Sequence, residues 1–427
     1  MRTILILFLT VTAAVADPAM DIRLAPGDSR QGYDSKDYVT DSLSLPSRQG
    51  IAADLLANTK ARHLGLPPLD AYQQEPPDEA AIELGRKLFF DRRLSGNKTM
   101  SCAMCHVPEQ GFTSNELKRP VGFEGRGLKR NAPTLLNVVF NNRLFWDARE
   151  STLAQQVWSP LLAKNEMNNP SIGTVVAQLQ QDIQYDQMFE RAFSEPANML
   201  NVGQALAQYQ QSLITADSRF DRWYFGGNET ALSDQEKHGF ELFTGKASCN
   251  GCHQINAQYA LFTDQRLHNT GVGVEDSMRK APDSIEVQLA PGVVVAVDHD
   301  LVRSVGEAKE NDLGRYEVTN EPIDRWKYRT PGLRNVALTA PYMHNGEFLS
   351  LDEVIHFYNR GGVPNKLLSP LIRPLNLTSG EQTALRAFLG TLTGGNVADL
   401  VSDAFAAPVG DVQQSQGQEV GMIGLNK

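Results

Sequence analysis

The apolar positions of this chain fall mostly at helical spacing. After Pro76-Pro77-Asp78, the residues Ala81, Leu84, Gly85, Leu88 and Phe89 stand at i, i+3, i+4, i+7 and i+8, one face of a helix. Ser233 and Glu236 have the spacing of a capping box, ahead of a second helix carrying Gly239, Leu242 and Phe243. Set side by side, Glu83-Leu-Gly-Arg-Lys-Leu-Phe and Lys237-His-Gly-Phe-Glu-Leu-Phe match at Gly, Leu and Phe. The repeat predicts two domains built alike, each opened by a helix whose glycine permits close packing. Residues 151–157 and 175–193 read as further helices, interrupted at Pro160 and Pro170. Leu351, Val354, Ile355 and Tyr358 share a face of another, which Gly361-Gly362 ends; His356 lies about 200° from Tyr358 on that helix. Thr378 and Glu381 cap a last helix through Leu385, Phe388, Leu389 and Leu392. One stretch breaks the helical period. Ile285 to Val297 alternates and is rich in valine around Pro291-Gly292, which predicts a small β-hairpin inserted in the second domain. The expected fold is mainly α.

The ends of the chain carry other signals. Arg2, the apolar run Ile4 to Val11 and Ala14-Val15-Ala16 read as a signal peptide over residues 1–16. That run is too short to span a bilayer, and no later stretch reaches ~18 apolar residues. The mature protein is therefore expected in the periplasm, without a membrane span. Residues 17–75 are an N-terminal extension rich in Asp, Ser, Gln and Gly, expected to lie as an arm on the domains with one short helix within 51–66. The two domains are expected at 76–230 and 231–395, with a linker at Phe225-Gly226-Gly227-Asn228. Residues 396–427 are expected to form a flexible tail. The formal net charge of −10, which becomes −11 when Arg2 is removed, argues against nucleic acid and suits a positively charged partner.

Chemistry enters with the cysteines. Cys102-Ala103-Met104-Cys105-His106 and Cys249-Asn250-Gly251-Cys252-His253 consume all 4 cysteines of the chain. Cys-x-x-Cys-His is the attachment pattern of a c-type haem: both thiols add to the porphyrin vinyl groups and the imidazole faces the iron. A zinc site is the competing reading of one copy, but two copies in an exported chain with no cysteine left over point to two covalently bound haem c groups.

The chain also carries Arg130-Asn-Ala-Pro-Thr, Phe145-Trp-Asp-Ala-Arg, the run Thr330-Pro-Gly-Leu-Arg-Asn-Val-Ala-Leu-Thr-Ala-Pro-Tyr-Met-His-Asn-Gly, and Leu389-Gly-Thr-Leu-Thr-Gly. With these motifs, residues 78 to about 395 resemble the bacterial di-haem cytochrome c peroxidase superfamily. The likeness leans to its MauG branch, whose members oxidise residues of a partner protein. The resemblance implies two cytochrome c-like haem domains, a peroxidatic one (Cys102, Cys105, His106) and an electron-relay one (Cys249, Cys252, His253). Tyr358 stands where ordinary family peroxidases have a methionine ligand to the second iron; Met343 is the other candidate. Those peroxidases often have a second histidine ligand to the first iron, and Lys118 to Arg130 contains none. The first iron is then expected to be open to peroxide at rest. The family pattern assigns Glu166 as acid–base, Gln156 as the group that orients bound oxygen and Pro160 as the filler of the distal face. It sets Trp146 between the haems, and calcium at Asn131 and the carbonyls of Thr339 and Pro341. Arg334 is expected to pair with a haem propionate. His63, His238, His268 and His299 are expected to be structural or surface residues.

The function so implied is peroxide-dependent oxidation of a protein partner through a high-valent di-haem state. The enzymatic alternative is detoxification of hydrogen peroxide with a small cytochrome c or copper protein as donor. A non-catalytic di-haem electron carrier is the third reading, opposed by an open first iron and by Glu166.

Overall fold

In the computed structural model, residues 50–73, 75–279, 284–290, 293–298 and 311–407 are described. The expected signal peptide, most of the arm, the Pro291-Gly292 turn, His299 and residues 408–427 lie outside them. The protein is mainly helical.

Two helix pairs set the frame. Helix Glu79–Phe90, capped by Asp78, crosses helix Met199–Ser212 at Gly85, where a Cβ would collide with the Ala205 carbonyl. Helix Asp234–Thr244, capped by the Ser233–Glu236 box, crosses helix Ser379–Gly390 at Gly239, where a Cβ would meet the Ala384 carbonyl. Only glycine lets the backbones approach so closely. Each crossing anchors a hydrophobic core. The first gathers Leu84, Leu88, Phe89, Val202, Leu206 and Tyr209; the second gathers Phe220, Phe243, Phe262, Leu385 and Phe388.

Three features depart from the sequence reading. Helix Met199–Ser212, central to the first core, was not anticipated: 11 of its 14 residues are buried, so it shows no polar face. Helix Arg219–Tyr224 packs with the second core through Phe220, ahead of the expected break at Phe225-Asn228. The expected tail begins with a helix, Val397–Ala406, which buries Val397, Leu400, Val401 and Ala404 in the first core. Its Asp403 pairs with Arg86 at 2.5 Å. Burying that apolar face drives the helix onto the core, whatever the Gly-rich sequence before it.

The arm lies across both cores. Its short helix Leu55–Lys60 sits against the first, where Asn58 Nδ2 donates to the Ser212 and Ile214 carbonyls. Farther on, the Gly65 carbonyl accepts from Ala260 N and from Arg334. Leu267–His268 pairs antiparallel with Tyr328–Arg329, and Ser284–Ala290 pairs antiparallel with Val293–Asp298. Among the described residues no helix is long and apolar enough to cross a membrane.

Candidate functional site

Both Cys-x-x-Cys-His segments begin as a single 3-10 turn, Cys102–Met104 and Cys249–Gly251. Both histidines are held alike. His106 Nδ1 donates to the Phe112 carbonyl at 3.1 Å, and His253 Nδ1 to the Phe262 carbonyl at 2.8 Å. Burial lowers His106 to about 4, outweighing its hydrogen bonds to the Phe112 and Pro133 carbonyls. Burial likewise lowers His253, against its bonds to the Phe262 and Pro331 carbonyls. Both rings are therefore neutral, with the Nδ1 proton committed to a carbonyl and the Nε2 lone pair left as the ligating atom. This is the tautomer an axial ligand requires.

The cradle behind each ring repeats. Thr113 Oγ1 donates to the Ala132 carbonyl and Thr263 Oγ1 to the Thr330 carbonyl. Asn137 and Asn335 both take the left-handed conformation, φ 61° and 62°, and open the 3-10 turns Val138–Phe140 and Val336–Leu338. Asparagine tolerates that region better than other side chains with a Cβ. A second internal repeat thus lies in the loops, Pro133-x-Leu135-x-Asn137-Val138 against Pro331-x-Leu333-x-Asn335-Val336.

Burial pushes the thiols of Cys102 and Cys105 up to about 12, with the Glu166 carboxylate adding to the effect. Cys249 is likewise raised to about 12 and Cys252 to about 11. Neutral thiols suit thioether formation. Cys252, Asp264 and His268 do bring ligand atoms within 4.8 Å of one another. However, His268 Nε2 is paired with Asp264 at 2.7 Å and its Nδ1 lies 3.2 Å from Ser369 Oγ.

The two segments keep different company. At the first, Glu166 is the charge that acts on both thiols. Burial raises its carboxyl above the ordinary range, partly offset by the Arg149 guanidinium. Its backbone is fixed: the Glu166 carbonyl accepts from Phe123 N at 2.9 Å, and Met167 N donates to the Pro160 carbonyl at 3.1 Å. Gln156 ends helix Leu153–Gln156, half-buried, and Pro160 lies in the next, Trp158–Leu162. At the second, Tyr358 projects from helix Leu351–Asn359, which the Ser350–Glu353 box starts and Gly361 and Gly362 end at φ 87° and 69°. Burial raises the Tyr358 phenol, and Cys252 and Cys249 are the neighbours that add to the shift. His356 is exposed, while Phe357, which the sequence reading passed over, is fully buried.

Trp146 links the two halves. Its Nε1–H donates to the Asn131 carbonyl at 2.8 Å, and its own carbonyl accepts from Arg329 N at 2.8 Å. Asn131 Nδ2 lies 2.6 Å from the Pro341 carbonyl, and its Oδ1 is buried without a partner. A buried amide oxygen left without a partner is a ligand type that suits a hard cation. Thr339 belongs to the same loop, its side chain against Gly111.

Arg334 is engaged with protein groups. Its guanidinium is buried and forms a two-pronged pair with Asp221, 2.8 Å on each side, and also donates to the Ala260 and Gly65 carbonyls. With its charge met by a carboxylate, it is a clamp on the arm and not a free cation for a propionate. Arg329, which the sequence reading missed, fits that description better. It is 6% exposed, donates to Asn141 Oδ1 at 3.0 Å, and has no carboxylate partner among the described residues. Burial lowers it to about 10. The loop repeat is the signal that would have drawn attention to it, since Arg329 aligns with Asn131 and precedes the Pro331 carbonyl behind His253.

Arg130, from the same motif as Asn131, ties distant loops together, reaching Asp147 at 2.6 Å and Asp312 at 2.6 Å. Burial would raise the Asp312 carboxyl, but the Arg130 hydrogen bond and charge overcome this and hold it at about 2. Because the folded value lies below the ordinary one, the stabilisation is complete above pH ~4 and is lost as pH falls towards 2. Asp312→Asn is expected to cost about 3 kcal/mol at neutral pH, the low end for a broken buried pair because Asp147 remains. It should also flatten the acid limb of the thermal unfolding midpoint between pH ~4 and ~2. An unchanged acid limb would remove the pair from the stability of this interface.

The chain matches the model of one protein family, the di-haem cytochrome c peroxidases, over residues 79–230. It is 36% identical over 318 residues to the cytochrome-c peroxidase IdrP2 of Denitromonas iodatirespirans, covering 73% of this chain and 81% of that one. It is 34% identical over 341 residues to the methylamine utilization protein MauG of Methylorubrum extorquens, covering 79% and 85%. Among solved structures it is similar to a MauG-like protein associated with microbial copper homeostasis, with TM-score 0.62 and 31% identity over 82% of this chain and 97% of that one.

Proposed function

Because the chain belongs to the di-haem cytochrome c peroxidase family, and is therefore a haem oxidoreductase, we propose that it is an exported, periplasmic enzyme that uses hydrogen peroxide to oxidise a protein partner. In this reading Cys102, Cys105 and His106 hold a peroxidatic haem, and Cys249, Cys252, His253 and Tyr358 hold a relay haem. Bound haem supplies the redox chemistry, the two-electron reduction of peroxide to water.

The rest belongs to the chain. His106 and His253 offer Nε2 because their Nδ1 protons are tied to carbonyls. Glu166 moves a proton at the peroxide oxygens, a task suited to a carboxyl whose affinity for protons is raised by burial. Gln156 would orient the oxygen, and Pro160 would fill the space beside it where another ligand could otherwise enter. Arg329, in place of Arg334, meets a haem carboxylate. Trp146 bridges the halves, and Asn131 with the Thr339 and Pro341 carbonyls holds calcium.

The observation that carries this reading is the unlike company of the two Cys-x-x-Cys-His segments: beside the first, the Glu166 carboxyl is raised by burial, whereas beside the second the Asp264 carboxyl, against its burial, is held low by His268 and a phenol, Tyr358, stands by. A pure electron carrier has no use for a buried proton shuttle, and detoxification with a small donor has no use for a phenol at the relay site. Electron paramagnetic resonance of the untreated ferric protein tests it. One high-spin and one low-spin haem are expected, because no histidine between Lys118 and Arg130 is available to close the first iron. Two low-spin signals would overturn the reading.

A further inference from the structure

Two oxidisable rings stand at the edge of the second core, Trp223 half-buried against it and Tyr224 exposed. Trp223 and Tyr224 end helix Arg219–Tyr224, with Tyr224 43% exposed. Behind them, Phe220 lies 6.3 Å from Trp223, centroid to centroid, and 5.2 Å from Phe262. The Phe262 carbonyl is the one that holds His253 Nδ1. A contiguous path of rings thus runs from solvent to the back of the second Cys-x-x-Cys-His segment. Aromatic packing alone accounts for the rings; it does not account for what Trp223 does with its nitrogen. Trp223 Nε1–H donates to the Glu229 carboxylate at 3.3 Å, and Lys237 Nζ holds the same carboxylate at 3.3 Å.

We propose that Trp223 is the port through which electrons enter from a macromolecular donor, with Glu229 as its proton acceptor. This rests on the peroxidase reading above. An indole that loses an electron becomes about as acidic at Nε1 as a carboxylic acid, and a carboxylate already accepting that hydrogen takes the proton with little rearrangement. Trp223 gives one electron inward along the rings towards His253, and its Nε1 proton passes to Glu229. An outside donor returns the electron and the proton goes back. Two such rounds deliver the two electrons that one hydrogen peroxide takes up, with two protons, to form two waters.

The test uses the haem-loaded protein, treated with hydrogen peroxide alone and freeze-quenched, then treated again in the presence of a reduced cytochrome c as donor. Wild type is expected to give an organic radical whose paramagnetic resonance narrows on indole deuteration, and peptide mapping should find oxidation at Trp223. Trp223→Phe should remove that radical and slow cytochrome oxidation by on the order of tenfold, while peroxide is still consumed at the wild-type rate with a small dye as donor. Glu229→Gln, which leaves the ring in place, should change the radical from neutral to protonated, read from its hyperfine pattern. The port is overturned if the radical and the cytochrome rate persist unchanged in Trp223→Phe, or if the surviving radical is a tyrosyl in both proteins. Wild-type protein that consumes no peroxide overturns the peroxidase reading itself, and the port with it.

Discussion

Replacing Glu166 with glutamine is expected to leave both haem sites loaded and to slow the reaction with hydrogen peroxide by about 10²–10⁴-fold, the range for loss of a positioned proton shuttle. The size of the effect follows from how the group is held. Phe123 N and the neighbouring Met167–Pro160 bond fix the loop that carries Glu166, so the carboxyl is held in one place. Arg149 provides only partial compensation, and the carboxyl remains raised. A second signature comes from pH. Glu166 accepts a proton only when ionised, so the wild-type rate should decline as pH falls through a value above the ordinary carboxylate range. In the variant that limb should vanish. Stability separates chemistry from damage. The native state binds this proton more tightly than the unfolded chain does, so Glu166 favours folding below its ordinary pKa and loses that contribution as pH rises through the folded one. Glutamine avoids burying the charge, and the unfolding midpoint of the variant at neutral pH should not drop. Stopped-flow mixing with peroxide across pH, beside calorimetry, reads all three. An unchanged rate would take Glu166 out of the reaction.

The second large effect is expected at Tyr358. Alone in its pocket the phenol holds its proton, because burial and the two sulfurs oppose a negative charge. Only a cation directly opposite would make it a phenolate, and an iron held by His253 is such a cation. Tyr358→Phe should therefore remove a ligand and change the absorption and magnetic spectrum of the second haem alone. Tyr358→Met should replace an anionic donor with a neutral thioether. Axial ligands move haem potentials over about 0.8 V, so a rise on the order of 0.1 V or more is expected. Oxidation of a small cytochrome c should survive that change, while oxidation of a protein residue should fail. If Tyr358→Phe retains the wild-type spectrum, another residue holds the iron, with Met343 the next candidate, and the protein-oxidising reading gives way to detoxification.

How much of this was legible in the sequence depends on what each signal rests on. The paired helices could be read because Glu79–Phe90 and Asp234–Thr244 each bury one face and expose the other. Helix Met199–Ser212 could not, because Asn201, Gln208, Gln210, Gln211 and Ser212 are buried with its apolar residues. Gln208 Nε2 donates to the Pro76 carbonyl and Ser212 Oγ to the Tyr209 carbonyl, so these two are satisfied inside, and buried polar residues erase the period. The Cys-x-x-Cys-His segments announce themselves by spacing alone. The arginines do not. Arg329 and Arg334 lie five residues apart, and what distinguishes them is Asp221, 113 residues away in the chain from Arg334, which no local pattern foretells. The helix at 397–406 was missed for a related reason: its partner surface comes from the opposite end of the chain.

That last arrangement bears on how the molecule is made. Ile51 N donates to Ser402 Oγ and Ala53 N to Asp403 Oδ1, contacts that close over 351 and 350 residues. The first half is thus closed by chain from both ends, whereas the core of the second is drawn from one contiguous stretch, Phe220 to Leu392. The first half cannot finish until its closing helix has been synthesised, and loops of that length are slow to close. Until then the first Cys-x-x-Cys-His segment belongs to an incomplete core, accessible to whatever machinery attaches its haem. Order of synthesis and order of completion are reversed: the half that emerges first is sealed last.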